Sequence, residues 1–171
     1  MKPSSQSASH RKPVGGVRSV ALLAANNISA AQFDKVTGEC TQLVMVDHQA
    51  VMNVELVEDR SSLEEEFSFD DGLLSVVHRL TLVADRNMAE AWLDEEFRCE
   101  ATRCGLCAVV TLSDGRVLLV GYSERFGAEQ PLRIKNLHSH SGCRLVDMPT
   151  LTLTLESCDS SAAAICQTLN A

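Results

Sequence analysis

Residues 106–122 read Leu-Cys-Ala-Val-Val-Thr-Leu-Ser-Asp-Gly-Arg-Val-Leu-Leu-Val-Gly-Tyr. Two apolar runs, Leu106–Leu112 and 117–122, flank Ser113-Asp114-Gly115-Arg116. Asp-Gly between such runs is a strong short-range hairpin signal, because both residues tolerate the backbone of a tight turn. With Asp114-Gly115 as a two-residue turn, counting outward pairs Leu112 with Val117, Val110 with Leu119 and Ala108 with Gly121. The other face then pairs Val109 with Val120 and Cys107 with Tyr122. Both faces are apolar, which predicts a central hairpin covered on both sides, on one of them by a helix.

That helix is expected immediately upstream, over 88–101. Asn87 offers an N-cap and Glu90 sits where a capping box wants it. Ala89, Trp92, Leu93 and Phe97 recur at helical spacing, and Asp94 and Arg98 can pair one turn apart. Trp92 reads as a packing anchor. Upstream again, Asp70-Asp71-Gly72 marks the turn of a long hairpin over 63–83. Leu63, Glu65, Phe67 and Phe69 share one side of its first strand, and Glu64, Glu66 and Ser68 the other. Leu74, Val76, Leu80 and Leu82 share a face of the second, with His78 level with them. Further strands are expected at Val17–Ala24, 43–47, 51–57, 132–137 and 150–156, the last with Leu151, Leu153 and Leu155 inward. A loop carrying Asn26, Asn27 and Gly38 separates the first two.

The fold class this implies is mainly β (α+β): an antiparallel β-sandwich or partly open barrel with one flanking helix. A single domain is expected over 17–157, with a disordered basic tail at 1–16 and a mobile tail at 158–171. The chain of 171 residues is long enough to bury a core without disulfides or metal. Hydrophobic residues make up 45% but aromatics only 4%, so Val, Leu, Ala and Met must fill that core. A formal charge of −8, from 15 basic and 23 acidic residues, disfavours nonspecific contact with nucleic acid or anionic lipid. Residues 1–16 hold no apolar signal core, and no run is long enough to span a bilayer. These features, with an odd count of seven cysteines, lead to the expectation of synthesis in a reducing cytoplasm with mostly buried, unpaired thiols.

Several side chains invite a chemical reading. Cys99, Cys104 and Cys107 have the spacing of plant-type iron–sulfur ligands, and Cys143 follows. Against a cluster, Cys99 falls in the helix and Cys107 in a strand, so spacing does not become convergence. His138, His140 and Cys143 could hold a transition metal with Cys104 and Cys107; a polar loop ending in Gly142 is the plainer account. His78 is expected to be a hydrogen-bonded core histidine, with no partner acid evident. Glu64-Glu65-Glu66 reads as a solvated face or subunit edge. Glu124, Arg125, Glu129 and Arg133 read as a salt-bridged surface loop around Gly127. No phosphate loop, nucleophile elbow or zinc-protease motif occurs. No catalytic, cofactor or metal residue is therefore assigned, and the chain is not expected to be an enzyme. A small-molecule site in a barrel mouth has no specific polar set behind it.

The order of elements carries one further signal. Residues 72–83, then Trp92-Leu93, then Val109 to Arg116 and Leu119-Val120-Gly121 form its first part. Gln130-Pro131-Leu132-Arg133, Ser141-Gly142, Asp147-Met148-Pro149 and Leu151 to Ser157 complete it. This pattern, over about 70–157, resembles a family of small virion proteins encoded in tail-module gene clusters of phages and prophages of gut bacteria. The resemblance implies a tail-tube or tail-completion component that self-associates into a ring, with other tail proteins as partners and the virion as destination. It makes the 63–83 hairpin the ring-building element, and an acidic surface would let DNA pass a lumen by like-charge repulsion. The alternative from another class is a metal- or iron–sulfur-binding protein using Cys99, Cys104, Cys107 and Cys143.

Overall fold

A computed structural model describes residues 15–47 and 50–166; the expected tail at 1–16 lies almost wholly outside them. The strands are β1 (Val17–Ala24), β2 (Ile28–Phe33), β3 (Cys40–Met45), β4 (Met52–Val54), β5 (Ser62–Asp70) and β6 (Leu73–Asp85). After helix α1 (Glu95–Arg103) come β7 (Leu106–Leu112), β8 (Val117–Val120), β9 (Arg133–His140), β10 (Thr150–Asp159) and β11 (Ala164–Ile165). They form a five-stranded sheet ordered β11-β8-β7-β1-β4, a four-stranded sheet ordered β5-β6-β10-β9, and the two-stranded sheet β2-β3. The fold is thus mostly β, antiparallel within its sheets and not closed into a barrel.

The five-stranded sheet is the middle layer, as its apolar faces require. Val20, Leu22, Ala108, Val110 and Val120 on one face meet Leu80, Leu82, Leu151, Leu153 and Leu155 of the four-stranded sheet. Leu23, Cys107, Val109 and Leu119 on the other face meet Ile28, Cys40 and Leu43 of the β2–β3 hairpin. The second cover is therefore a hairpin, while the helix closes the first core through Phe97 and Ala101. The loop expected between the first strands is in fact β2, its turn at residues 34–39 and the start of β3. Methionine contributes little: Met45 and Met52 are only partly buried, and Met88 and Met148 are exposed.

The helical segment is broken where one continuous helix was expected. A 3-10 turn, Glu90–Leu93, ends at Asp94, whose extended backbone (ψ 140°) precedes α1. Asn87 caps nothing; its N–H donates to the Asp85 carboxylate in a turn. Trp92 and Phe97 explain the break. Five positions apart on one helix they would point about 140° from each other, whereas here both enter the same core.

Two turns set the registers that matter. Asp71 (φ 46°) and Gly72 (φ 80°) make a true two-residue turn, so β5 and β6 pair from Asp70 with Leu73 to Ser62 with Thr81. The β7–β8 turn differs from the expectation. Leu112 bonds back to Arg116, leaving Ser113, Asp114 and a left-handed Gly115 (φ 92°) in the loop. That is a type I turn followed by a glycine bulge, and it slides the register by one residue. Val110 therefore pairs with Leu118, Val109 with Leu119 and Ala108 with Val120.

The strand expected over 51–57 splits between sheets. Met52–Val54 pairs with β1, and Leu56 then bridges to Ala84 of β6. The tail expected from 158 is structured as far as Cys166. Cys158 and Asp159 finish β10 because β6 extends far enough to pair with them. Ala164 and Ile165 then pair with Leu119 and Leu118 as β11. Residues 167–171 lie outside the described residues.

Candidate functional site

Period-two alternation in the four-stranded sheet produces two adjacent rows of polar side chains, one facing in and one facing out. The inward row comes from register: Glu65 of β5 and Ser157 of β10 both stand opposite His78 of β6. His78 is 2% exposed. Ser157 Oγ lies 3.4 Å from its Nδ1. Glu65 Oε1 lies 3.3 Å from its Nε2, but off the line of the ring N–H, so the contact is short-range electrostatic more than a straight hydrogen bond. The same Glu65 oxygen accepts the Ala163 N–H at 2.7 Å. His78 first, and the Ala163 N–H with it, hold the Glu65 carboxyl below the usual glutamate range, against a partial burial that pushes it up. The partner acid for His78 thus exists, within the triple glutamate read as a solvated patch.

Residues 159–166 form a strap joining the three layers. Ala163 is held by Glu65, Ala164 and Ile165 by β8, and the Cys166 N–H by the Val117 carbonyl. Between strap, β8 and the β2–β3 turn lies an open cleft of about 370 Å³, lined in part by His78, Tyr122, Glu124, Asp159 and Ala163. The Tyr122 ring lies parallel to that of Phe33 at 6.4 Å. Ser157, the hydroxyl that meets His78, is not among the residues lining the cleft. What the row does is hold a carboxylate beside a buried imidazole and anchor the strap.

The outward row crosses all four strands. Glu64 lies 3.8 Å from Arg79, Arg79 lies 3.3 Å from Glu156, and Glu156 lies 3.2 Å from Lys135. Lys135 foremost, then Arg79, keep the Glu156 carboxyl below its ordinary range. The row begins with a carboxylate at the β5 edge and ends with an ammonium at the β9 edge. At one end of this sheet the β5–β6 hairpin becomes an arm. β10 pairs with β6 only over positions 76–85, so residues 68–70 and 73–75 extend past it. In the arm Phe69 and Leu73 are 77% and 75% exposed, and at its base Phe67 is 47% exposed.

The other residues singled out from sequence stay apart. Cys99 is exposed on α1, Cys143 is exposed between β9 and β10, and Cys107 is buried in β7 with its thiol donating to the Gly121 carbonyl at 3.2 Å. Burial pushes that thiol up to about 12. His138 and His140 lie in exposed β9 with ring centroids 6.4 Å apart, and His140 Nδ1 accepts the Gly142 N–H. Among the described residues, no three His, Cys, Asp or Glu side chains stand close enough to hold a metal ion. The loop around Gly127 is closed by paired Ser123 and Gly127 backbone bonds. Ion pairs do not shape it: Arg133 donates to the Thr102 carbonyl, and Arg125 stacks on Phe126.

Fold and site together define a three-layered antiparallel β protein with an inward-facing Glu–His pair, its histidine buried, and a projecting apolar arm. Among described residues, no helix is long and apolar enough to cross a membrane. No family model, curated protein or solved structure matches the chain.

Proposed function

We propose that the chain is a non-enzymatic structural protein that self-associates through the β5–β6 arm, as a ring-forming part of a phage or prophage tail. The observation that carries this reading is the arm itself: Phe67 and Phe69 exposed on one face of the hairpin and Leu73 on the other, where an isolated molecule would normally bury or dilute them. β5 supports it. All nine of its residues pair with β6 on one side, and no strand among the described residues pairs with the other. Glu64 and Glu66 on that edge select against a like copy and favour a cationic one. The outward ion row supplies such a surface at Lys135, so a head-to-tail contact, β9 edge to β5 edge, continues the alternation of charge. Head-to-tail contacts generate rings or tubes rather than closed dimers. The proteins expected to join it are other tail components, and the tail pattern over about 70–157 is what points to a virion.

Light scattering on the purified full chain over rising concentration tests the reading. Masses at multiples of the chain mass are expected, collapsing to the monomer in a Phe69→Asp, Leu73→Asp variant that melts like wild type. A wild-type chain that stays monomeric at the highest concentration, alone and with tail partners added, refutes it.

A further inference from the structure

We propose that Cys40 and Cys166 are a disulfide-forming pair, which on meeting a small disulfide oxidant such as oxidised glutathione stitches the C-terminal strap to β3. The two residues are bridge partners in a parallel arrangement. Such partners sit roughly 5 Å apart at Cα with side chains on the same face, inside the range a disulfide spans. Both belong to the core between the middle sheet and the β2–β3 hairpin, 0% and 3% exposed. Their thiols face each other; Cys40 also approaches the Gln42 carbonyl at 3.6 Å. Cys107, the other buried cysteine, is engaged with the Gly121 carbonyl, while Cys99, Cys143 and Cys158 are exposed.

The neighbouring thiol and burial together push Cys40 far above the ordinary thiol range, so the closed structure presents no thiolate. Reaction needs the strap to open. Its holds are the Ala163 N–H to Glu65, a two-residue strand and the Cys166 N–H to Val117, which is the low-stability end of the structure. In the opened strap one cysteine loses its proton, and its thiolate attacks a sulfur of oxidised glutathione and expels one glutathione thiolate. The second cysteine then attacks the mixed disulfide and expels the other. Two protein thiols give up two protons and two electrons, and one glutathione disulfide becomes two glutathione thiols. The bond closes most of the chain into one loop, the condition under which a cross-link restricts the unfolded state most.

The test incubates the native full chain with oxidised glutathione, quenches with a maleimide and maps cross-links by peptide mass. The expected result is a Cys40–Cys166 peptide as the principal intramolecular link. A thermal midpoint roughly 10 °C higher, reversed by dithiothreitol, should accompany it. A Cys99→Ser, Cys143→Ser, Cys158→Ser variant should give the same link, and Cys166→Ala should abolish both link and shift. The mapping on wild type stands even if Cys166→Ala fails to fold. Links confined to the exposed cysteines, a stable glutathione adduct on either residue, or a Cys40–Cys166 link that leaves the midpoint unchanged would overturn the proposal.

Discussion

Gly121 stands where three segments meet, and replacing it by alanine should be among the most damaging small changes in the molecule. It follows β8 with φ 84°, and a Cβ there would lie 2.7 Å from the Leu106 carbonyl oxygen and 3.0 Å from the Leu132 nitrogen. Those two residues exchange both backbone hydrogen bonds, at 2.9 and 2.8 Å, and tie the segment after Pro131 to the start of β7. Gly115 is the natural control: its φ is 92°, yet nothing lies within 4 Å of a built Cβ. Both variants carry the left-handed penalty of about 1–2 kcal/mol, partly offset by a stiffer unfolded chain. Only Gly121→Ala must also displace a buried backbone pair, at a further cost of about 1–3 kcal/mol. Midpoints in a chain of this size move by about 2–4 °C per kcal/mol. Thermal melts followed by circular dichroism should therefore show a loss of roughly 10 °C for Gly121→Ala and about 3 °C for Gly115→Ala. Equal losses, or a milder effect at Gly121, would refute the close approach of the three segments.

Two other perturbations probe the core and the Glu65–His78 pair. Trp92 is fully buried, and among the described residues its indole N–H has no hydrogen-bond partner; Trp92→Ala should cost about 3–5 kcal/mol in urea unfolding. Trp92→Phe should cost under about half of that, because removing the unsatisfied donor offsets part of the lost volume. Glu65 is held below its ordinary pKa of 4.5 by His78 and the Ala163 N–H, with a smaller contribution from Arg116. A depressed folded-state value means that its stabilisation is full above the unfolded value and is lost as pH falls through the folded one. Asp34, Asp114, Asp147 and Glu156 are depressed as well, so wild type should lose stability in acid anyway. The difference between wild type and Glu65→Gln isolates the pair. It should shrink steadily in denaturation midpoints taken from about pH 5 down to about pH 3; a constant difference would show that the carboxylate's charge is not what Glu65 contributes.

How far the residues betray this arrangement depends on how local the decisive contact is. The existence of the β5–β6 hairpin is legible from Asp70-Asp71-Gly72, but its register is not, because Asp71-Gly72 accepts a two-residue turn and a three-residue turn alike; the two-residue turn that forms is what sets Glu65 opposite His78. The Glu65–His78 pair is hidden by that ambiguity and by reading Glu64-Glu65-Glu66 as a single solvated patch. Asp114-Gly115 was ambiguous in a way no neighbour resolves, since a two-residue turn and a three-residue turn with a glycine bulge accept the same dipeptide. Ile28–Phe33, with Ser29, Ala30, Ala31 and Gln32, has little strand propensity, and it is a strand because its hairpin covers Cys107, Val109 and Leu119.

Contacts that join distant segments left no trace in spacing. Ser157 reaches His78 only because β10 pairs with β6, a choice made by the leucines of both strands and by no turn between them. The strap is the extreme case: small residues after β10 look like a frayed end, yet each layer of the fold offers them a partner. A middle sheet apolar on both faces explains why. It leaves its β8 edge open until β11 pairs with it, and the strap that does so must run from the four-stranded sheet to the β2–β3 hairpin. Cys40 and Cys166 meet where that path ends, so the central hairpin's second apolar face is the physical reason the two thiols are neighbours at all.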